Sequence, residues 1–188
     1  MTKHNPRTKN ISLTIIFTSI ALILEILPLD IPFPLFSKLT IDVTGVPLLL
    51  TFYLIDLPSA IMAVLFIGLA IALPRPPFRP PNPYGGFFKA VAELSTILGI
   101  WLTKRFWKGS KMRFLLLSIV GGSISRVAIM SFVNYVFLPL FYGLPRSIVL
   151  KIIPVVAVFN LIQSVVNVVL TYVCLESVKE RLSLNYLE

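Results

Sequence analysis

The sequence predicts an all-α fold: a polytopic integral membrane protein, a six-transmembrane-helix bundle with both termini cytoplasmic. Three observations predict it. The 188 residues are 56% hydrophobic and 13% charged, whereas a soluble domain carries about 25% charged residues. Six apolar runs can be drawn along the chain. The lysines and arginines fall mostly between those runs, where they act as a topology signal.

The first run, roughly Ile11 to Leu29, follows a basic tail over residues 1–10. It has the outline of a signal peptide, but no small-residue cleavage site follows and many more apolar runs do, so it is expected to stay as a span. The second, Val46 to Leu54, is too short for the roughly 20 residues a straight crossing needs. It is expected to begin inside the protein or within the preceding loop. The third runs from Pro58 to Leu73, the fourth from Gly85 to Leu102, the fifth from Phe114 to Leu140 and the sixth from Ile152 to Leu175. No internal repeat is visible, and the length leaves no room for a separate soluble domain, so residues 1–188 form one membrane domain.

Orientation follows from counting cations. With the N-terminus inside, the cytoplasmic side holds Lys3, Arg7, Lys9, the cluster Lys104, Arg105, Lys108, Lys111 and Arg113, and Lys179 with Arg181. The outer side holds Lys38, Arg75, Arg79, Lys89, Arg146 and Lys151, and Arg126 is left inside a span. The loops over residues 28–46 and 74–84 then lie outside. The basic loop 103–113 and the tail 176–188 lie inside. Both outer loops are rich in proline, which fixes φ and cannot continue a helix. They are therefore stiff segments suited to folding over helix ends and shaping a site.

Several chemistries lack their residues. There is no GxxxxGK[ST] phosphate loop, no HExxH and no paired-cysteine spacing. Cys174 is the single cysteine, and the single histidine, His4, sits in the polar tail. No cofactor or metal is called for, and binding or transport is favoured over catalysis. The net charge of +9 does not imply nucleic acid, because no basic stripe interleaves with aromatic residues.

Polar residues inside the spans are the chemical signal. A central charge costs on the order of 3 kcal/mol in hydrocarbon on insertion scales, so these side chains should face the bundle interior. Lys89 and Glu93 are four apart and can pair on one helix face. Arg126, Met130 and Asn134 form a stripe on the fifth span, and Asn160, Gln163 and Asn167 form one on the sixth. Each residue is open to two readings, interhelical glue or ligand contact, and three such faces favour a polar cavity. Glu25 is expected to pair with a loop cation. Gly121-Gly122 with Ser123 and Ser125 allow close helix approach, and Thr14 and Thr18 make a weaker small-xxx-small pair.

The loops and stripes together resemble a family. PLFSKLTIDVTGVPLLL (Pro34 to Leu50) resembles the first-loop signature of riboflavin-type S components, the substrate-binding subunits of energy-coupling-factor (ECF) vitamin transporters. MSFVNYVFLPLFYG (Met130 to Gly143) resembles their fifth helix, IIPVVAVFNLIQSVV (Ile152 to Val166) the start of their sixth, and YGGFFKAVAELS (Tyr84 to Ser95) more loosely their fourth. The chain departs from the pattern where the family has a lysine and it has Gln163, and where the family has an uncharged asparagine and it has Lys89. The resemblance implies a binding subunit that captures a vitamin at the outer face, a flavin before others. The implied contacts are Phe36, Lys38, Asp42, Lys89, Asn134, Tyr135, Asn160 and Gln163. It also implies a transmembrane coupling subunit, touched by way of Thr14 and Thr18, and two ATPase subunits. The alternatives are an S component for another small metabolite and a non-transporting membrane scaffold.

Overall fold

In a computed structural model, which describes residues 6–27, 29–77, 79–106 and 110–182, the described residues fold into six helices. They are α1 (Pro6–Ile26), α2 (Gly45–Leu54), α3 (Leu57–Ala72), α4 (Pro83–Phe106), α5 (Lys111–Tyr142) and α6 (Arg146–Leu182). Lys3, His4, Lys108 and residues 183–188 lie outside the described residues, as do the side chains of Lys179 and Arg181.

The helix order agrees with the six apolar runs, but several helices outrun them. α5 spans 32 residues, about 48 Å at 1.5 Å per residue, and α6 spans 37. Apolar content marks the lipid-facing part of a helix, whereas its hydrogen bonds continue into polar sequence at either end. A change of backbone ends α5: Gly143 sits in the left-handed region at φ 63° and its N–H bonds to the Pro139 carbonyl at 2.9 Å, the usual glycine stop. Among the described residues four helices are long and apolar enough to cross a membrane: Arg7–Ile26, Pro83–Arg105, Lys111–Tyr142 and Arg146–Ser177. The expected count of six spans is therefore not met on length, since α2 has 10 residues and α3 has 16.

Why α2 is short follows from where it lies. Gly45 through Tyr53 are all buried, and a helix apolar on every side belongs in a core. α2 packs against α1, α3, α4 and α6. α3 is one-sided: Ala60, Ala63, Val64, Ile67 and Ile71 are buried while Met62, Phe66 and Leu69 are more than half exposed, an arrangement that fits lipid outside. Asp56 caps it by accepting from the Ser59 N–H at 2.7 Å, satisfying one of the first-turn donors. α4 runs between α3 and α5, and α5 packs on α6. At the α4–α5 crossing, a Cβ on Gly99 would collide with the carbonyl oxygen of Gly121, so close approach there depends on glycine. The sequence predicted that for Gly121.

Two features of the loops did not show in the apolar pattern. Residues Ile31–Pro32 (β1) pair antiparallel with Thr40–Ile41 (β2), giving the first long loop a small hairpin. In the second loop Arg75 and Arg79 bridge through their backbones, with N–H to carbonyl distances of 2.9 and 3.0 Å.

Candidate functional site

The first loop does not stay on the surface. After β2 it descends into the bundle, so that α2 starts beside the middle of its neighbours: Gly45 lies against Glu93 of α4 and Asn167 of α6. The sequence expectation that the second helix begins inside the protein is met. Irregular backbone at membrane depth is tolerated only where protein or a cavity satisfies its polar groups. Gln163 does this for Asp42. Its amide nitrogen donates to the Asp42 carbonyl at 2.6 Å and its amide oxygen accepts from the Asp42 N–H at 3.3 Å, so the side chain stands in for a strand partner.

The Asp42 carboxylate is held equally closely. Lys89 Nζ lies 2.6 Å from both of its oxygens, and the Thr44 N–H donates to Oδ1 at 2.9 Å.

Beneath this clasp, Arg126 is 2% exposed and bonded through its Nε and one terminal nitrogen. It reaches Glu93 Oε1 at 3.1 Å, Thr96 Oγ1 at 3.2 Å and Asn160 Oδ1 at 3.1 Å. Charges buried this deeply persist when paired and hydrogen-bonded. The expected Lys89–Glu93 pair is present only at 3.9 Å. Both residues have nearer partners on other elements, Asp42 for Lys89 and Arg126 for Glu93, because convergence of loop and helices offers better geometry than one turn of α4.

A second ionic layer closes the rim. Glu25, near the end of α1, takes Arg75 at 2.6 Å and lies 3.8 Å from Arg79, the loop-cation pairing expected of it. Arg79 also bonds Asp30 at 2.8 Å and the Leu27 carbonyl at 3.1 Å, tying the two proline-rich loops together. Phe33, buried on the first loop, meets Phe159 of α6 edge-on at 5.5 Å.

Between the two layers lies a cavity of about 600 Å³, within the usual range of roughly 300–1,000 Å³ for small-molecule sites. Phe36, Lys38, Asp42, Lys89, Asn134, Asn160 and Gln163 are all on its wall. Tyr135 is not. It is 36% exposed, with the Arg146 guanidinium 5.9 Å from its ring centre. One residue along a helix is a turn of about 100°, which takes Tyr135 off the face that carries Asn134. The α5 stripe extends instead at fourfold spacing through Arg126, Met130, Asn134, Leu138 and Tyr142.

Arg75, Arg79, Phe88 and Phe159 are wall residues that sequence reasoning did not single out. Phe159 was detectable, since Val156, Phe159, Asn160 and Gln163 follow helical one-face spacing. The arginines were not, because only the folded loops aim them inward. Thr18 is buried within the chain and Thr14 half-buried, and each hydroxyl bonds back to its own helix. The exposed face of α1 carries Ile11, Ile15, Ile16, Ile20 and Ile23 instead.

No protein-family model matches the chain, and no curated protein matches it. Its architecture is that of a multi-pass membrane protein with a loop-covered cavity at one end of a helical bundle. Among solved structures it is similar to one described as the structure and mechanism of the S component of a bacterial ECF transporter. The TM-score is 0.74 at 24% identity, over 94% of this chain and 98% of that one. The fold is thus an ECF S-component fold along nearly its whole length.

Proposed function

We propose that this chain is the substrate-binding subunit of an ECF-type importer in a prokaryotic cell membrane, capturing a vitamin at the outer face. One observation carries the reading: the S-component fold holds here a cavity of about 600 Å³, roofed by two loops and lined by buried amides, paired charges and aromatic rings. A membrane scaffold would need no such space. The chain has no phosphate loop, so ATP hydrolysis belongs to partner ATPases working through a transmembrane coupling subunit, and the chain itself is not an enzyme. Riboflavin or a related flavin is the leading ligand. A planar apolar ring with polar edges suits walls made of Phe36, Phe88 and Phe159 with Asn134 and Asn160, since ligand sites combine apolar walls with a few placed polar groups. The loop end of the bundle is taken as extracellular, because the opposite end carries Arg7, Lys9, Lys104, Arg105 and Arg113.

The test is a titration of riboflavin fluorescence with purified protein in detergent, together with mass spectrometry of small molecules released from it. Quenching at about micromolar protein supports the flavin. Its absence, with another small molecule released, replaces the flavin while keeping the binding subunit. The absence of both quenching and a released small molecule counts against the binding reading.

A further inference from the structure

Charge is distributed unevenly along the cavity. On the floor, Lys89 lies 2.6 Å from Asp42 and 3.9 Å from Glu93, and Arg126 lies 3.1 Å from Glu93. That layer matches two cations with two carboxylates, and a further unpaired charge there would be expensive to bury. At the rim, Glu25 and Asp30 face three cations. Glu25 takes Arg75 and Asp30 takes Arg79. Lys38, exposed on the first loop and on the cavity wall, is in no ion pair among the described residues.

A second observation comes from Arg75. It lines the cavity and is only 7% exposed. Its terminal nitrogens reach Glu25 at 2.6 Å and the Pro80 carbonyl at 3.4 Å, yet its Nε has no acceptor. A guanidinium offers five N–H donors, and a buried one left unmade is costly. The rim therefore has both a surplus positive charge and a buried donor awaiting an oxygen.

We propose that the cavity takes a ligand with one anionic group, a phosphate monoester or carboxylate, seated at the rim against Lys38, Arg75 and Arg79, with its uncharged body on the floor. This rests on the vitamin-binding reading above and adds to it the ligand's charge and its direction in the cavity. An anionic oxygen would complete Arg75 and neutralise Lys38 through charge-assisted hydrogen bonds, the stronger kind. The neutral end of the ligand would meet Asn134 and the aromatic walls, where no cation is free.

Riboflavin and riboflavin 5′-phosphate share one ring system and differ by such a group, so they are the probes. Both are titrated by fluorescence quenching against the full chain in detergent. The phosphate ester is expected to bind about tenfold tighter than riboflavin at about 20 mM salt, with the preference shrinking at about 500 mM. Lys38→Gln, a change at an exposed position, is expected to reduce the preference several-fold. Riboflavin binding as tightly as its phosphate, or tighter, overturns the anionic rim and leaves the vitamin-binding reading standing. A preference that neither salt nor Lys38→Gln moves overturns the placement at the rim. If neither compound binds, the flavin reading falls and this proposal falls with it.

Discussion

Replacing Gln163 with alanine removes the partner of two main-chain groups at once. The amide of Gln163 accepts from the Asp42 N–H and donates to the Asp42 carbonyl, and Gln163 itself is 1% exposed. Each buried main-chain group left unpaired costs about 1–3 kcal/mol. The cavity adjoins Asp42, so water can reach the vacated space and the low end applies to both groups, about 2 kcal/mol together. For a chain of this length that is a fall in Tm of about 4–8 °C. Thermal unfolding in detergent reads the total, and amide hydrogen exchange over residues 39–44 reads the location. Exchange there should accelerate in Gln163→Ala while the middle of α4 stays protected. An unchanged Tm with unchanged exchange at Asp42 would refute the idea that Gln163 holds the descending loop.

Three further outcomes follow from the geometry. Asn160→Ala strips the acceptor from Arg126 Nε and an amide from the cavity wall; riboflavin affinity should fall about tenfold to a hundredfold, or about 1–3 kcal/mol, as read by fluorescence titration. For orientation, Pro81→Cys and Arg105→Cys, each in a Cys174→Ser background, would be treated on intact cells with an impermeant thiol reagent; Pro81→Cys should label and Arg105→Cys only after permeabilisation, and the reverse would put the cavity on the cytoplasmic side. Asp42→Asn removes the carboxylate that Lys89 meets at 2.6 Å and leaves a mostly buried ammonium without its nearest partner; stability should fall by about 3–5 kcal/mol, as read by thermal unfolding in detergent.

Much of the fold was legible because lipid imposes a simple rule: apolar runs become helices, and polar residues within them turn inward. The stripes on α5 and α6 obeyed that rule; the α5 stripe lines the cavity, as do Asn160 and Gln163 of α6, while Asn167 lies against Gly45 instead. Pairing was less legible. Lys89 and Glu93 share a helix face, and sequence spacing cannot reveal that a loop will deliver Asp42 to the one while α5 delivers Arg126 to the other. Tyr135 shows a similar limit. The resemblance implied contacts from both Asn134 and Tyr135, but Asn134 is on the wall and the turn of a helix takes the next residue off that face. Arg75 and Arg79 were hidden because a proline-rich loop carries no periodicity, and nothing in PRPPFRPP says which way its cations point.

Asp42 is where the departures from the riboflavin-type pattern meet. That pattern has a lysine at the position of Gln163 and an uncharged asparagine at the position of Lys89. Here the cation comes to Asp42 from α4 and the amide comes from α6, so the two departures are one exchange of partners around a single aspartate. The argument predicts coupling. Lys89→Asn alone leaves a mostly buried carboxylate without its cation, a loss on the order of 3–5 kcal/mol. Gln163→Lys alone places a second ammonium beside Lys89 and removes the acceptor for the Asp42 N–H. Made together, the two changes return one cation and one amide to Asp42 with their helices swapped, and stability should recover by more than about 1 kcal/mol over the sum of the single losses. Thermal or denaturant unfolding of the four proteins gives that coupling energy directly. Losses that simply add would mean that the two positions act independently and that Asp42 is not their common partner.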